Sequence, residues 1–169
     1  MQLTHHTTSF NKKTFPITVL CENVSNAPNI GSLFRICDAF GVEKLVFSGE
    51  ELPIPSRKMQ KTSRATEKYV PYEIINNIHQ YIENIKKTHR IIAIEITEKS
   101  KDLHQQKFNT NKPIVIIIGD ENFGVSEAIL NQTNEIVHIN MFGENSSMNV
   151  VQATNIALYE ITKQLQEAI

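Results

Sequence analysis

Three polar stretches of the chain carry side chains that can hold or align a ligand, and each follows an apolar, β-branched run. They span residues 26–32, 119–126 and 144–149. In or beside them lie Arg35, Glu121 and paired asparagine and serine residues. Amides, hydroxyls, one carboxylate and close-approach glycines suit a neutral or cationic ligand that carries adenine and ribose. S-adenosylmethionine fits that description, because a preorganised carbonyl or carboxylate tolerates its sulfonium charge.

Each polar stretch alone is compatible with an ordinary turn, because Gly, Asn and Ser are normal turn residues. Three such stretches ahead of helical patterns in one short chain instead favour a single site. In open α/β sheets, ligands bind outside the carboxyl ends of the strands, where backbone amides and helix N-termini are free. The three stretches are therefore expected to meet at that edge.

The second stretch has the glycine spacing of a phosphate-binding loop but lacks the residues that complete it. Gly119 and Gly124 match G-x-x-x-x-G, yet Val125 stands where the signature requires lysine. Asp120 and Glu121 would also place negative charge beside a polyphosphate. A nucleoside triphosphate site, and with it a small-molecule nucleotide sensor, is therefore disfavoured. The chain also lacks G-x-G-x-x-G, G-x-S-x-G and H-E-x-x-H, and its six histidines show no metal-ligand spacing, so no metal is expected.

Length and composition favour one domain of a protein from a reducing compartment. The 169 residues are 40% apolar, enough for one sizeable core. Lysine and arginine total 17 against 18 acidic residues, so any affinity for nucleic acid must come from a local patch. Cys21 and Cys37 are too isolated for a disulfide framework. There is no signal pattern and no apolar run of roughly 18 residues, so a cytoplasmic protein without a membrane span is expected.

Alternating strand and helix patterns predict an α/β fold with a mostly parallel sheet flanked by helices. Strands are predicted at residues 17–21, 45–47, 91–96, 114–118 and 136–139. The runs at 91–96 and 114–118 are almost entirely apolar and belong in the sheet centre, covered on both faces. Helices are predicted at residues 33–40, closed by Gly41, then from Pro71 to residue 85, and at residues 150–165. Residues 1–15 are predicted to form an arm held by Phe10 and Phe15, and residues 16–169 the domain.

Residues 49–69 lose the helical period and are predicted to form a long functional loop with one helical turn. Within twelve positions this segment sets five basic residues against a single acid, Glu67. The basic residues are Arg57, Lys58, Lys61, Arg64 and Lys68. A charge run is most often a solvated surface. Here the segment follows the second strand, close to the first polar stretch, which favours contact with the phosphates of a nucleic acid.

Residues 29–35, 118–126 and 139–149 resemble, in order and spacing, the three motifs of the SpoU (TrmH-type) branch of the SPOUT RNA methyltransferases. The resemblance runs from about residue 17 to residue 165. It implies a C-terminal deep trefoil knot, a homodimer, and S-adenosylmethionine as the cofactor. It also implies methyl transfer to a ribose 2′-hydroxyl of tRNA or rRNA. We expect tRNA, because the sequence carries no separate RNA-binding domain ahead of this one.

The resemblance also assigns roles to individual residues. The residues that match the active-site positions of the family are Asn29, Arg35, Glu121, Ser147 and Asn149. Gly119, Ile139 and Met148 match its cofactor-binding positions, and Ile94 is expected to line the same pocket. Loop geometry adds Gly124 and Met141 to the predicted cofactor site. A guanidinium is effectively always protonated, so Arg35 is interpreted as a phosphate clamp that stabilises negative charge, not as a base.

Two positions depart from the family pattern. Asn140 stands where the family usually has proline, and it is expected to loosen the third loop. Met148 stands where leucine is usual and has about the right volume for the same contact. A non-catalytic RNA-binding module that kept the knotted fold is the alternative function. That alternative would require a broken motif, whereas all five predicted active-site residues are present.

Several of these residues also have a purely structural interpretation. Arg35 would be a surface helix arginine in a salt bridge, and Glu121 would cap the helix that follows it. Ser147 is expected to cap the last helix. Asn149 is expected to lie inside the first turn, where asparagine is a poor helix former, so a structural role explains it less well.

Overall fold

In the part of the chain that the structure describes, Thr8 and residues 10–109 and 111–167, seven strands form one parallel sheet. The structure is a computed structural model. The strands are β1 (Phe15–Glu22), β2 (Val42–Ser48), β3 (Tyr72–Ile75), β4 (Arg90–Ile94), β5 (Lys101–Asp102), β6 (Ile114–Ile118) and β7 (Glu135–His138). Their spatial order is β3-β2-β1-β6-β4-β7-β5, and each ladder is parallel. The predicted mostly parallel sheet is confirmed, with β4 and β6 adjacent near its centre.

Helices cover both faces of this sheet. They are α1 (Ala27–Ala39), α2 (Arg57–Ser63), α3 (Ile78–Ile85), α4 (Glu127–Leu130) and α5 (Val150–Glu167). One buried cluster joins side chains of α1, α2 and α5 to the strands, and a second joins α3 and α4 to them. In β6, Ile116 and Ile118 enter the first cluster, whereas Val115 and Ile117 enter the second. Because both faces are buried, this strand has no polar side.

The helix predicted to begin at Pro71 is wrong in its first half. Residues Tyr72–Ile75 form β3, which pairs in parallel with β2. The carbonyl of Pro71 accepts a hydrogen bond from the backbone N–H of Leu45 at 2.9 Å. Helix α3 begins only at Ile78, after the N-cap Asn77. Local periodicity could not separate the two elements, because the strand is defined by its pairing with a distant segment.

The predicted loop at residues 49–69 contains more regular structure than expected. Helix α2 occupies Arg57–Ser63, and a 3-10 turn follows at Thr66–Lys68. Ser56 begins α2, because its hydroxyl accepts a hydrogen bond from the backbone N–H of Met59 at 3.3 Å. Strand β5 was not predicted at all, since two residues carry no periodic signal.

Of the two phenylalanines predicted to hold the N-terminal arm, one is buried and one is exposed. Phe15 begins β1 and is buried, while Phe10 is 88% exposed and anchors nothing. The ammonium of Lys13 lies 4.8 Å from the centre of the Phe15 ring. Residues 1–7 and residue 9 of the predicted arm lie outside the described residues.

Helices α1 and α2 approach closely at Gly31. A Cβ atom on Gly31 would overlap the carbonyl oxygen of Met59 and the hydroxyl of Thr62. That hydroxyl lies 2.9 Å from the carbonyl oxygen of Pro28 in the first turn of α1. Glycine at this position therefore sets the distance between the helix that carries Arg35 and the helix that carries the basic segment.

We expect Gly31→Ala to lower the free energy of unfolding by about 1–3 kcal/mol, because the added methyl group forces α2 away from α1. Urea denaturation measures this change. Gly143→Ala is the matched control, since a Cβ at Gly143 meets no atom within 4 Å. Equal stability of the two variants would contradict the close helix contact.

Candidate active site

The three polar stretches meet at the carboxyl edge of the sheet, but most of the first is not a loop. Helix α1 begins at Ala27, six residues before the predicted start, so residues 27–32 are helical. The first loop follows β1 and ends where the side chain of Asn26 accepts a hydrogen bond from the backbone N–H of Asn29 at 3.1 Å. The second follows β6, and the third runs from the end of β7 to α5. Parallel strands end on the same side of a sheet, which brings together loops that are far apart in sequence.

A chain of hydrogen bonds joins the three loops through side chains predicted to form the active site. The amide of Asn29 donates to Oε1 of Glu121 at 2.8 Å, across 92 positions of sequence. The amide of Asn149 donates to Oδ1 of Asn29 at 3.3 Å, across 120 positions. Three of the five predicted residues are thus in direct contact, in the order Asn149, Asn29, Glu121.

Asn149 also caps helix α5, which corrects two expectations. Its Oδ1 accepts a hydrogen bond from the backbone N–H of Val151 at 2.8 Å, and α5 begins at the intervening residue. Ser147, predicted to be the cap, is exposed, and its backbone N–H donates to the side chain of Asn145 at 3.4 Å. The helix begins at Val150, where the apolar pattern predicts it, so asparagine stands at its preferred N-cap position and not inside the first turn. Asn149 therefore joins the helix start to Asn29.

The expectation that Glu121 caps the next helix is wrong. Helix α4 begins at Glu127 after Ser126, whose side chain makes no capping hydrogen bond. The Oγ of Ser126 instead donates to Oε1 of Glu22 at 2.6 Å. Glu121 is exposed and accepts its hydrogen bond from Asn29, so it contacts another predicted active-site residue and not the helix end.

Arg35 does not join this hydrogen-bond chain. It is exposed on α1, and among the described residues no carboxylate lies within 4.0 Å of its guanidinium. The salt bridge expected of an ordinary surface arginine is therefore wrong for this side chain. Arg35 instead lines a groove of about 490 Å³ together with Lys61 and Arg64.

The other residues of the predicted basic patch are also exposed. Arg57 and Lys58 begin α2, and Lys68 ends the 3-10 turn after it. Glu67, the acid of this segment, is hydrogen-bonded by the hydroxyl of Ser63 at 2.6 Å. The acid does not neutralise the basic residues, which remain free to face a polyanion.

Two glycines shape the second loop. A Cβ on Gly119 would overlap the backbone of Gly124, and Gly124 itself has φ 69°. The backbone N–H of Gly124 donates to the carbonyl of Asp120 at 2.8 Å, and the Asp120 carboxylate accepts from the N–H groups of Asn122 and Phe123. The predicted glycines are required by this tight turn.

Two carboxylates that sequence reasoning missed hold this loop in place. Glu22 is buried at the end of β1 and accepts hydrogen bonds from the Oγ and the backbone N–H of Ser126, at 2.6 and 2.9 Å. Glu95 accepts from the backbone N–H of Val125 at 2.9 Å. The sequence did contain a signal for Glu22, because this acid directly follows the apolar run of β1. A carboxylate buried at such a position requires hydrogen-bond partners.

The predicted cofactor residues lie at the ends of three adjacent strands. Ile94 ends β4, Gly119 follows β6 and Ile139 follows β7. Gly119 is buried, while Ile94 and Ile139 are half-buried and pack against the core. Gly124, Met141 and Met148 are half-buried in the second and third loops. Together, the predicted cofactor residues form a partly apolar surface beside the hydrogen-bond chain.

Asn140 is anchored on both sides, contrary to the expectation that it loosens the third loop. Its Nδ2 donates to Oδ2 of Asp102 at 2.6 Å, and its Oδ1 lies 3.2 Å from Nε2 of His138. Asp102 belongs to β5, the strand that sequence patterns did not predict. Side-chain hydrogen bonds here constrain the position that the family usually constrains with proline.

Neither cysteine is available as a nucleophile at neutral pH. Burial, assisted by the neighbouring Cys37 and by Glu121, raises the pKa of the Cys21 thiol well above its ordinary value. Burial also raises the pKa of the Cys37 thiol. Both thiols are buried and free, and they pack as small apolar groups.

Within the described residues, His, Cys, Asp and Glu side chains form no group of three that would coordinate a metal ion. Over the same residues, no helix combines the length and apolar character that crossing a bilayer requires. The site is therefore described by its amides, carboxylates and basic side chains alone.

The sheet and its loops together define an α/β enzyme with a ligand site at the carboxyl edge of the strands. The sequence profile of the SpoU rRNA Methylase family matches residues 16–159, and the chain belongs to this family. The predicted family and enzyme class, an RNA methyltransferase, are confirmed by this match.

Relatives with assigned activities include enzymes acting on two kinds of RNA. The tRNA (guanosine(18)-2′-O)-methyltransferase of Aquifex aeolicus is 29% identical over 92% of this chain and 73% of that protein. The enzyme of the same name from Thermus thermophilus is 28% identical over 90% of this chain and 77% of that protein. The 23S rRNA (guanosine-2′-O-)-methyltransferase RlmB of Haemophilus influenzae is 23% identical over 88% of this chain and 60% of that protein.

Solved structures share the fold. The crystal structure of the A. aeolicus TrmH/SpoU tRNA modifying enzyme superposes with a TM-score of 0.83 at 29% identity, over 92% of this chain and 78% of that one. The AdoMet-bound rRNA methyltransferase of Sinorhizobium meliloti superposes with a TM-score of 0.82 at 21% identity, over 92% and 59% of the two chains. At the lower identity the likeness concerns the fold alone.

We expect Ser126→Ala to lower the free energy of unfolding by about 1–3 kcal/mol, because the buried Glu22 carboxylate loses its hydroxyl donor. Urea denaturation measures this loss, and amide hydrogen exchange shows whether the second loop opens more often. Ser25→Ala, at an exposed serine of the first loop, is the control and should change little. A Ser126 variant as stable as the Ser25 variant would show that Glu22 does not hold the loop.

Proposed function

We propose that this enzyme transfers the methyl group of S-adenosylmethionine to a ribose 2′-hydroxyl of RNA, with tRNA as the favoured substrate. The observation that carries the proposal is the hydrogen-bond chain from Asn149 through Asn29 to Glu121. It joins the three loops whose motifs define the family, with each amide oriented by its partner. A module that only bound RNA would have no need for this arrangement, so we do not favour the non-catalytic alternative.

The residues at the strand ends fit the proposed cofactor. The half-buried Ile94, Ile139 and Met148 offer apolar surface for adenine, and the second loop approaches closely through Gly119. Gly124 and Met141 complete the proposed cofactor site. When bound, S-adenosylmethionine supplies an electrophilic methyl group on a positively charged sulfur. The Glu121 carboxylate adds a negative charge at the edge of this site, which a sulfonium tolerates better than a polyphosphate would.

The contribution of the protein to methyl transfer is mainly alignment. Holding the ribose oxygen in line with the methyl group supplies much of the acceleration in a displacement at carbon. We assign this alignment to Asn29, Asn149 and Glu121, which fix one another, and to Ser147 in the third loop. Arg35 binds an RNA phosphate and stabilises the negative charge that develops on the oxygen. Since a guanidinium cannot take up the hydroxyl proton, Arg35 is not the base.

The preference for tRNA is supported by the relatives. The two relatives at 28% and 29% identity are named as tRNA (guanosine(18)-2′-O)-methyltransferases, whereas the RlmB relative that acts on 23S rRNA is 23% identical. RNA is held in this proposal by Arg57, Lys58, Lys61, Arg64 and Lys68, which are all exposed. The free thiols of Cys21 and Cys37 are compatible with work in the cytoplasm.

We also propose that the C-terminal part of the chain is tied in a deep trefoil knot. After β4 the chain forms β5, which lies on the far side of the position of β7 in the sheet. It then crosses back past β4 to form β6. On the way, the backbone N–H of Phe108 donates to Gln164 of α5 at 2.9 Å, and the Gln164 amide donates to the carbonyl of Gln106 at 3.1 Å. Helix α5 thus packs against this connection as well as against the sheet core. A knot requires such packing, because the C-terminal segment passes beneath an earlier segment of the chain.

A homodimer is the proposed assembly. Large apolar side chains are exposed beside the site, with Phe123 at 90% and Phe142 at 96%, and on helix α5, with Tyr159 at 60%. Such side chains are more typical of an interaction surface than of a monomer surface. They support a second copy of the chain packing close to the cofactor loops.

Incubation of the protein with labelled S-adenosylmethionine and undermodified total RNA should give a ribose-methylated nucleoside, identified by mass spectrometry after digestion. We expect the label in the tRNA fraction. Calorimetry should detect S-adenosylmethionine and not ATP, because the second loop lacks the lysine of a phosphate-binding loop. Label found only on bases would contradict the ribose assignment.

Arg35→Lys should keep part of the RNA affinity but lose most of the methyl transfer. Lysine retains the charge, yet it cannot form the two parallel hydrogen bonds of a guanidinium. Filter binding and transfer of labelled methyl groups measure the two effects separately. Arg57→Lys makes the same exchange at the start of α2 and should keep most of the activity. Full turnover by the Arg35 variant would refute both roles given to this side chain.

A further inference from the structure

The groove that contains Arg35 brings together three basic side chains from two helices. Arg35 lies on α1, Lys61 lies in the last turn of α2, and Arg64 follows as the C-cap of α2. The groove has a volume of about 490 Å³, and the hydroxyl-bearing Ser32 and Thr62 contribute to its wall. Three cations around one groove favour an anionic ligand.

The two helices are locked in a fixed relation, so the spacing of the three cations is preset. Gly31 lets α1 approach α2, and the hydroxyl of Thr62 lies 2.9 Å from the carbonyl oxygen of Pro28. Arg64 and Ala65 both have positive φ, at 54° and 69°. Residues other than glycine adopt this conformation at a cost, and such strain often marks a functional position.

Nothing acidic among the described residues neutralises the groove. None of the three cations forms an ion pair within 4.0 Å in that part of the chain. Glu67, the nearest acid in sequence to Arg64, accepts a hydrogen bond from Ser63 at 2.6 Å. The rest of the lining comes from Ile36 and Ala39, which carry no charge. A metal ion would be repelled, whereas a phosphate is favoured.

We propose that this groove binds the backbone phosphate next to the target ribose, with Lys61 and Arg64 as positioning residues beside Arg35. The inference rests on the proposed function. Ser32 and Ile36 of the groove wall lie three and seven residues after Asn29, on the same face of α1, so the groove begins about one helical turn from Asn29. Arg57 and Lys58 do not line this groove, so they attract RNA only through their general charge.

The test compares two double variants that remove the same charge. Lys61→Gln with Arg64→Asn removes two cations from the groove. Asparagine is chosen at position 64 because it tolerates the left-handed backbone there. Arg57→Gln with Lys58→Gln removes two cations outside it. Methyl transfer to a tRNA transcript is measured at several salt concentrations, with S-adenosylmethionine binding and thermal unfolding as checks on the fold.

The groove variant should raise KM for tRNA about tenfold or more and also lower kcat, because the phosphate both binds and aligns the ribose. The control variant loses only general attraction to RNA, so it should raise KM by less and lower kcat by less than the groove variant does. Equal losses in the two variants would overturn the groove, since general charge would then explain both. An unchanged KM in the groove variant would overturn it as well.

Fluorescence anisotropy with a short single-stranded RNA separates this inference from the proposed function. If the native protein methylates no RNA, the proposed function fails. The groove is then supported only if its variant binds the RNA more weakly than the control variant does. If methylation proceeds and both variants bind RNA equally, the groove fails and the proposed function stands.

Discussion

The site depends on a buried carboxylate, Glu22, that ties the end of β1 to the second loop. It accepts two hydrogen bonds from Ser126, which lies 104 positions further along the chain. A buried carboxylate without such partners would cost several kcal/mol, so the loop and the strand end are held together. With that distance set, Asn29 in the first turn of α1 can reach Glu121 in the second loop.

In the same arrangement, the side chains proposed to bind the cofactor and the RNA differ from those proposed to align the reacting groups. Half-buried apolar residues at the ends of β4 and β7 form one side of the site, and the exposed cations of α1 and α2 form another. Between them lie the amides and the carboxylate of the hydrogen-bond chain. A positively charged cofactor and a negatively charged RNA can therefore approach from different directions without competing for the same side chains.

The sequence was sufficient where structure depends on local composition. The isoleucine run of β6 predicted a central strand, and the three polar loops predicted the edge where the site lies. It was insufficient where a contact with a distant segment decides the outcome. Tyr72–Ile75 became a strand by pairing with β2, and Glu22 shows its role only beside Ser126. Asn149 was misjudged because its role depends on the residue at which α5 begins.

The contact between Asn149 and Asn29 places a limit on when the enzyme becomes competent. The two residues are 120 positions apart, so a ribosome adding about 5–20 residues per second leaves Asn29 without this partner for roughly 6–24 s. An unfinished chain can already contain the basic helices, but Asn29 then lacks the hydrogen bond from Asn149. This contact between α1 and the third loop therefore forms only late in synthesis.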